Sequence, residues 1–131
     1  MEKQIVIDGN RISDIASFYE EVNRVFMTGE DWQLGHSLDA FSDLLYGGLG
    51  AIKSNEPVKL LWKNIEKSSA ALGIDATKRY YEEKLAAGPT FNAEHFRTKL
   101  DELNNGTGQT YFDILIEIIT DHPNITLEAI N

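Results

Sequence analysis

Three short aliphatic and β-branched runs stand far apart in the sequence: Gln4-Ile5-Val6-Ile7, Val58-Lys59-Leu60-Leu61-Trp62 and Ile125-Thr126-Leu127-Glu128-Ala129-Ile130. Helical patterns fill the stretches between them. Strands joined through helices pair in parallel, because a crossover and not a tight hairpin connects them. The order predicts an α/β domain: a three-stranded parallel sheet with right-handed crossovers, packed with helices. Turn residues bound the runs, with Asp8-Gly9-Asn10 closing the first and Pro57 preceding the second.

Ser13 or Asp14 can cap a first helix over about Asp14 to Phe26, where Ile15, Phe18, Tyr19, Val22, Val25 and Phe26 recur at helical spacing. Trp32-Gln33-Leu34-Gly35-His36 reads as irregular. Ser37 can then cap a second helix through Leu45, with Leu38, Phe41, Leu44 and Leu45 on one apolar face. Asp39 falls in its first turn, where the helix dipole favours negative charge. The cluster Gly47-Gly48-Leu49-Gly50 ends it, and Ile65 to Leu72 reads as a short third helix. From Gly73 to Gly108 the chain changes character, with two charged helices, Lys78 to Ala87 and Ala93 to Leu103, separated by Gly88-Pro89. Tyr111 to Thr120 is a strongly apolar helix ending at Asp121-His122-Pro123. A chain of 131 residues, 42% hydrophobic and without cysteine, suits one domain with a real core and no cross-links. No apolar stretch nears the roughly 20 residues of a membrane span. Ile5-Val6-Ile7 is too short for a secretory signal, so a cytoplasmic protein with no membrane partner is expected. The absence of cysteine fits a reducing compartment.

The net charge is −9, and it is unevenly placed. Acidic side chains dominate residues 1–52 and residues 104–131, and the middle is balanced. Nucleic-acid binding needs basic groups that displace phosphate counterions, so direct contact with nucleic acid is not expected. Such a charge serves solubility, and it also speeds association with a basic protein.

Catalytic motifs are scarce. The Gly47 to Gly50 cluster lacks the adjacent Gly-Lys-Ser/Thr of a phosphate loop and follows a helix, so it reads as a turn or cap. His36, Asp39 and Asp43 recur at spacings of three and four, which places an imidazole and two carboxylates on one helix edge. No second histidine stands nearby, and no metal or other cofactor is expected. His95 and His122 read as surface or capping residues. Asp39 and Asp43, one helical turn apart, repel each other by a few tenths of a kcal/mol on an isolated helix. Water relieves that repulsion, or a cationic cleft on a partner does.

Four stretches resemble the barstar family of intracellular ribonuclease inhibitors, in the family's order. Ile5 to Ile12 resembles its first strand and turn, and Gly35 through Leu38-Asp39-Ala40 to Asp43 resembles its Gly-x-Asn-Leu-Asp-Ala-x-x-Asp signature. Leu60-Leu61-Trp62 with Ile65-Glu66-Lys67-Ser68 resembles the second strand and its turn, and Ile114 to Ile130 the final helix and strand. The resemblance covers residues 1–73 and 110–131 and implies a single barstar-like α/β domain with a helical insertion at about 73–108. It implies an inhibitor or immunity protein, with no catalysis of its own, whose acidic helix and preceding loop plug the basic active site of a barnase-like ribonuclease one to one. Asp39 and Asp43 would be the central acids, Gly35 the loop glycine and Glu117 a flanking acid. Gln33, Leu34, His36, Ser42 and Gly47 complete the implied partner-binding surface. The sequence departs from the family at Ser37 in place of Asn, at Ser42 in place of Trp, and at Gln33 and Leu34 in place of aromatics. Other readings are an acidic module of the same fold with a partner that is not a ribonuclease, a small metal-assisted hydrolase using His36, Asp39 and Asp43, and a structural subunit.

Overall fold

A computed structural model describes residues 3–47, 50–53, 56–87 and 93–130. Three strands, β1 (Lys3–Asp8), β2 (Val58–Lys63) and β3 (Ile125–Ile130), form one parallel sheet in the order β1-β2-β3. Ile5 pairs with Leu60, and Leu60 with Leu127. The expected α/β architecture is present.

Side chains alternate across the sheet, so one face carries Ile5, Ile7, Val58, Leu60 and Trp62 into the core. The opposite face stays open to water: Val6 is 42% exposed, and Lys59 reaches Glu128 on the neighbouring strand at 3.6 Å. Parallel sheets are usually covered on both faces. Polar residues at alternate positions make the open face tolerable here.

Amphipathic helices, among them the two that flank the irregular loop, supply the cover. In α1 (Ile15–Phe26), Asp14 accepts the Ser17 N–H at 2.7 Å, and the Ser17 hydroxyl accepts the Asp14 N–H at 2.9 Å. That reciprocal cap satisfies amides the helix leaves unpaired at its start. In α2 (Leu38–Tyr46), the Ser37 hydroxyl accepts the Ala40 N–H at 3.1 Å, and Gly47 ends the helix at φ +93°, a conformation glycine adopts freely. Gly48 and Leu49 lie outside the described residues. The centre of the core is aromatic: Phe18 of α1 stacks on Trp62 of β2 at 6.0 Å and meets Phe41 of α2 edge-on at 5.4 Å. The buried indole N–H of Trp62 donates to the Ser68 hydroxyl at 2.9 Å on α3 (Ile65–Ala71). Gly9, in a short 3-10 turn after β1, allows a close approach here, since a Cβ would stand 2.3 Å from the Lys63 carbonyl oxygen.

Two helices follow in the segment read as an insertion. The first, α4 (Ile74–Ala86), begins four residues earlier than the expected Lys78. Its early start comes from tertiary contact: the buried Thr77 hydroxyl accepts the Tyr111 N–H at 2.7 Å, at the start of α6 (Tyr111–Thr120). The other, α5 (Ala93–Asn104), packs on α4 through Phe96 and Tyr81, while Gly88-Pro89 lies outside the described residues. His122, expected as a surface or capping residue, caps the end of α6 but is buried. It lies at the α6–β3 junction against Tyr46, its Nδ1–H donating to the Ile118 carbonyl at 2.7 Å. His95 is exposed beside Phe96 on α5. Among the described residues no helix is long and apolar enough to cross a membrane.

Candidate functional site

The segment between α1 and α2 has no regular secondary structure over residues 30–36, yet it is fastened at defined points. Asn23, on the buried side of α1, accepts the Leu34 N–H at 2.6 Å and donates to the Leu34 carbonyl at 3.3 Å. One side-chain amide thus serves both backbone groups of a loop residue, which would otherwise be buried and unpaired. The Leu34 side chain turns inward, 6% exposed, and plugs the loop onto the core. Leu34, expected among the contact residues, thus has its side chain turned into the core and anchors the loop.

Around that anchor the other loop residues face water. Gln33, Gly35 and His36 are exposed, and the His36 ring lies flat on Tyr19 at 5.1 Å. Behind it the hydroxyls of Tyr19 and Tyr111 are hydrogen-bonded inside the core. Burial pushes the Tyr19 hydroxyl up to about 12 and raises that of Tyr111 further. Gly35 is notable for what it does not need. Its backbone has no positive φ, and a Cβ there would meet nothing within 4 Å. No contact among the described residues demands a glycine at this position.

On α2 the apolar face, Phe41, Leu44 and Leu45, is fully buried. Asp39 and Asp43 stand exposed on the opposite edge, and neither has an ion-pair partner within 4 Å among the described residues. Ser42 beside Asp43 is half-buried, and Gly47 closes the helix. Asp39 is felt across the surface on α4: the Tyr80 hydroxyl is held above its ordinary range by burial first and by the Asp39 charge second. Glu117 is exposed on α6, which packs beside α2, and its carboxylate accepts the Gln109 side-chain N–H at 2.7 Å. His36, Asp39 and Asp43 do not form a metal cluster; among the described residues no three potential ligands converge.

Three contributors escaped sequence reasoning. Asn23 carries no sequence signal, because a lone asparagine in a helix shows its role only when Leu34 folds back onto it. Tyr46, 61% exposed at the end of α2, is an aromatic outside the apolar stripe and was detectable on that ground. Glu21, 2% exposed on an amphipathic helix, accepts from the Asp8 N–H and from Arg24, both at 2.7 Å, and braces α1 against β1.

The fold and the site define an α/β domain that displays two carboxylates, without an ion-pair partner among the described residues, on one helix edge beside a pinned loop. A family model described as Barstar (barnase inhibitor) matches residues 2–83, and the chain belongs to that family. No curated protein matches the chain. The matched residues include the loop, α2, β2, α3 and the larger part of α4, so the segment read as additional from Gly73 is matched as far as Glu83. Glu117 lies beyond the match.

Proposed function

We propose that this chain is a cytoplasmic inhibitor, in the manner of an immunity protein, that occludes the active site of a barnase-like ribonuclease. Its α2 edge and the loop at 33–36 enter the basic cleft, with Asp39 and Asp43 standing where RNA phosphates would bind. Inhibition is steric and electrostatic, in a one-to-one complex, and the chain performs no chemistry. The domain is one barstar-like unit, with α4 and α5 as its helical elaboration. Gln33, Gly35, His36, Ser42, Gly47 and Glu117 form the surrounding contact surface.

The observation that carries this reading is the pair of exposed carboxylates, without ion-pair partners among the described residues, on a helix whose other face is fully buried. Like charges at that spacing weaken a helix slightly, and a cationic cleft reverses the sign of that effect. Gly35 supports it, since a missing side chain that nothing inside requires leaves room for an approaching backbone.

The test is RNA cleavage by barnase while the protein is titrated in at physiological salt. Stoichiometric inhibition is expected. Asp39→Ala or Asp43→Ala should weaken binding by more than about 2 kcal/mol for at least one of the two, roughly 30-fold in Kd. Losses below about 0.5 kcal/mol in both variants would remove α2 from the interface.

A further inference from the structure

Among the described residues Tyr46 is the most exposed large hydrophobic side chain, 61% open to water. Its place on α2 gives that exposure a direction. Asp39, Asp43 and Tyr46 stand at i, i+4 and i+7, so the ring shares one helix stripe with both carboxylates and lies opposite Phe41, Leu44 and Leu45. Packing of the core therefore does not account for an aromatic at this position.

The ring is seated from behind. His122 meets it at 4.5 Å with the two planes at 73°, and His122 is itself buried and bonded through Nδ1 to the Ile118 carbonyl at 2.7 Å. The Asn124 side chain reaches the Leu45 carbonyl at 3.5 Å and donates to the Glu56 carbonyl at 3.2 Å, which ties the last turn of α2 to the chain entering β2 and β3. A side chain already held in this way loses little rotamer freedom when a partner covers it.

The surroundings of the ring attract a cation from three sides. The face of a phenol ring carries the negative part of its quadrupole. Asp43, one helical turn back, has no ion-pair partner among the described residues, and neighbours at that spacing lie about 5–6 Å apart at Cβ. The last turn of α2 holds no basic residue, so no side chain of its own offsets the negative end of the helix. Residues 25–52 and 104–131, which include α2, His122 and Asn124, contain no Lys or Arg. Charge of a single sign is thus gathered here, and the cation that would balance it comes from outside the chain.

We propose that Tyr46 is a specificity residue of the contact surface: its ring receives an arginine side chain from the basic cleft of the bound nuclease, with the guanidinium over the ring face and its N–H groups on the Asp43 carboxylate. A planar guanidinium stacks on a ring and still donates in its own plane, whereas a compact ammonium meets only one of the two at full strength. The inference rests on the ribonuclease-inhibitor reading and deepens it by adding an aromatic platform to the acidic pair.

The experiment uses the full chain with barnase as the probe and measures Kd for Tyr46→Leu, Tyr46→Phe, Asp43→Ala and the double variant Tyr46→Leu with Asp43→Ala. Leucine keeps apolar cover over His122 but removes the ring face, and Kd is expected to rise about tenfold. Phenylalanine restores the ring and should recover most of that affinity. In the double variant the loss should fall short of the product of the two single losses, because both residues act on one cation. Val6→Ala, on the open sheet face, controls for loss of exposed apolar surface and should leave Kd unchanged. The Tyr46 side chain is exposed, so both of its variants should unfold at the wild-type midpoint. Binding by Tyr46→Leu within about twofold of the wild type, while Asp43→Ala still weakens it, would overturn the proposal and leave the acidic helix in the interface. Equal losses for leucine and phenylalanine would overturn it too, since the ring face would then contribute nothing. Failure of the wild type to bind barnase would overturn the parent reading and this one together.

Discussion

Replacing Asn23 by alanine tests whether the loop before α2 is held by a single side chain. The substitution removes an acceptor 2.6 Å from the Leu34 N–H and a donor 3.3 Å from the Leu34 carbonyl. It also removes a bond to the Tyr19 carbonyl, which the helix ladder already serves. A buried backbone group left unpaired costs about 1–3 kcal/mol, so two such groups give about 2–6 kcal/mol. Loop relaxation admits water to both, and the expected loss is the lower figure, about 2 kcal/mol. Denaturant unfolding should show it as a lower midpoint with an unchanged slope. Amide hydrogen exchange should show lost protection at Leu34, while the β2 amides keep theirs. Asn23→Asp sharpens the test, since it keeps the acceptor but turns a carboxylate oxygen toward the Leu34 carbonyl. That variant should be less stable than alanine at neutral pH and recover as acid protonates the new carboxyl into a donor. A loss under about 0.5 kcal/mol for Asn23→Ala, with loop exchange unchanged, would refute the argument.

Two further expectations follow from the caps and the core. The Ser17 backbone N–H holds the Asp14 carboxyl below its ordinary value of 3.8, so its stabilisation is present above that value and is lost as pH falls through the lower folded value. Asp14→Ala should cost about 1 kcal/mol in denaturant unfolding, and Asp14→Asn should keep the cap while flattening the acid limb below about pH 4. At the other extreme, Tyr19 and Tyr111 are held in the protonated form by burial, Tyr19 up to about 12, so their contribution is complete below pH 10 and lost as pH rises through the folded values. Tyrosinate absorbance should therefore rise for these two together with loss of tertiary structure, and titration of all five tyrosines near pH 10 in a folded protein would contradict this.

Where a structural cause is local, it could be read from the sequence. The strands lie in β-branched runs with turn residues at their ends, and α2 begins where Ser37 can cap it, so their limits agree with expectation to within a residue or two. The carboxylates of Asp39 and Asp43 were legible because helical spacing alone puts them opposite Phe41, Leu44 and Leu45. Distant causes were hidden. The start of α4 depends on Thr77 meeting Tyr111, which lies 34 residues away in the chain. The inward turn of the Leu34 side chain depends on Asn23 and the core, and the burial of His122, which does cap α6, depends on Tyr46. In each case a side chain from another element decides the environment, and no window of neighbouring residues contains that information.

The long return from Lys63 to Ile125 makes the β2–β3 crossover the permissive point of this architecture. Closing a loop costs entropy only as the logarithm of its length, so the stretch from Gly73 to Gly108 accounts for only about 0.8 kcal/mol of the cost of closing this connection. Two points of attachment, Thr77 and Tyr80, offset that cost and fix α4 to the core. The sheet can thus carry a different pair of helices at nearly constant stability, with slower folding as the main consequence of the longer contact order. Substitutions along the exposed positions of α4 should therefore leave the three strands and the unfolding midpoint nearly as they are.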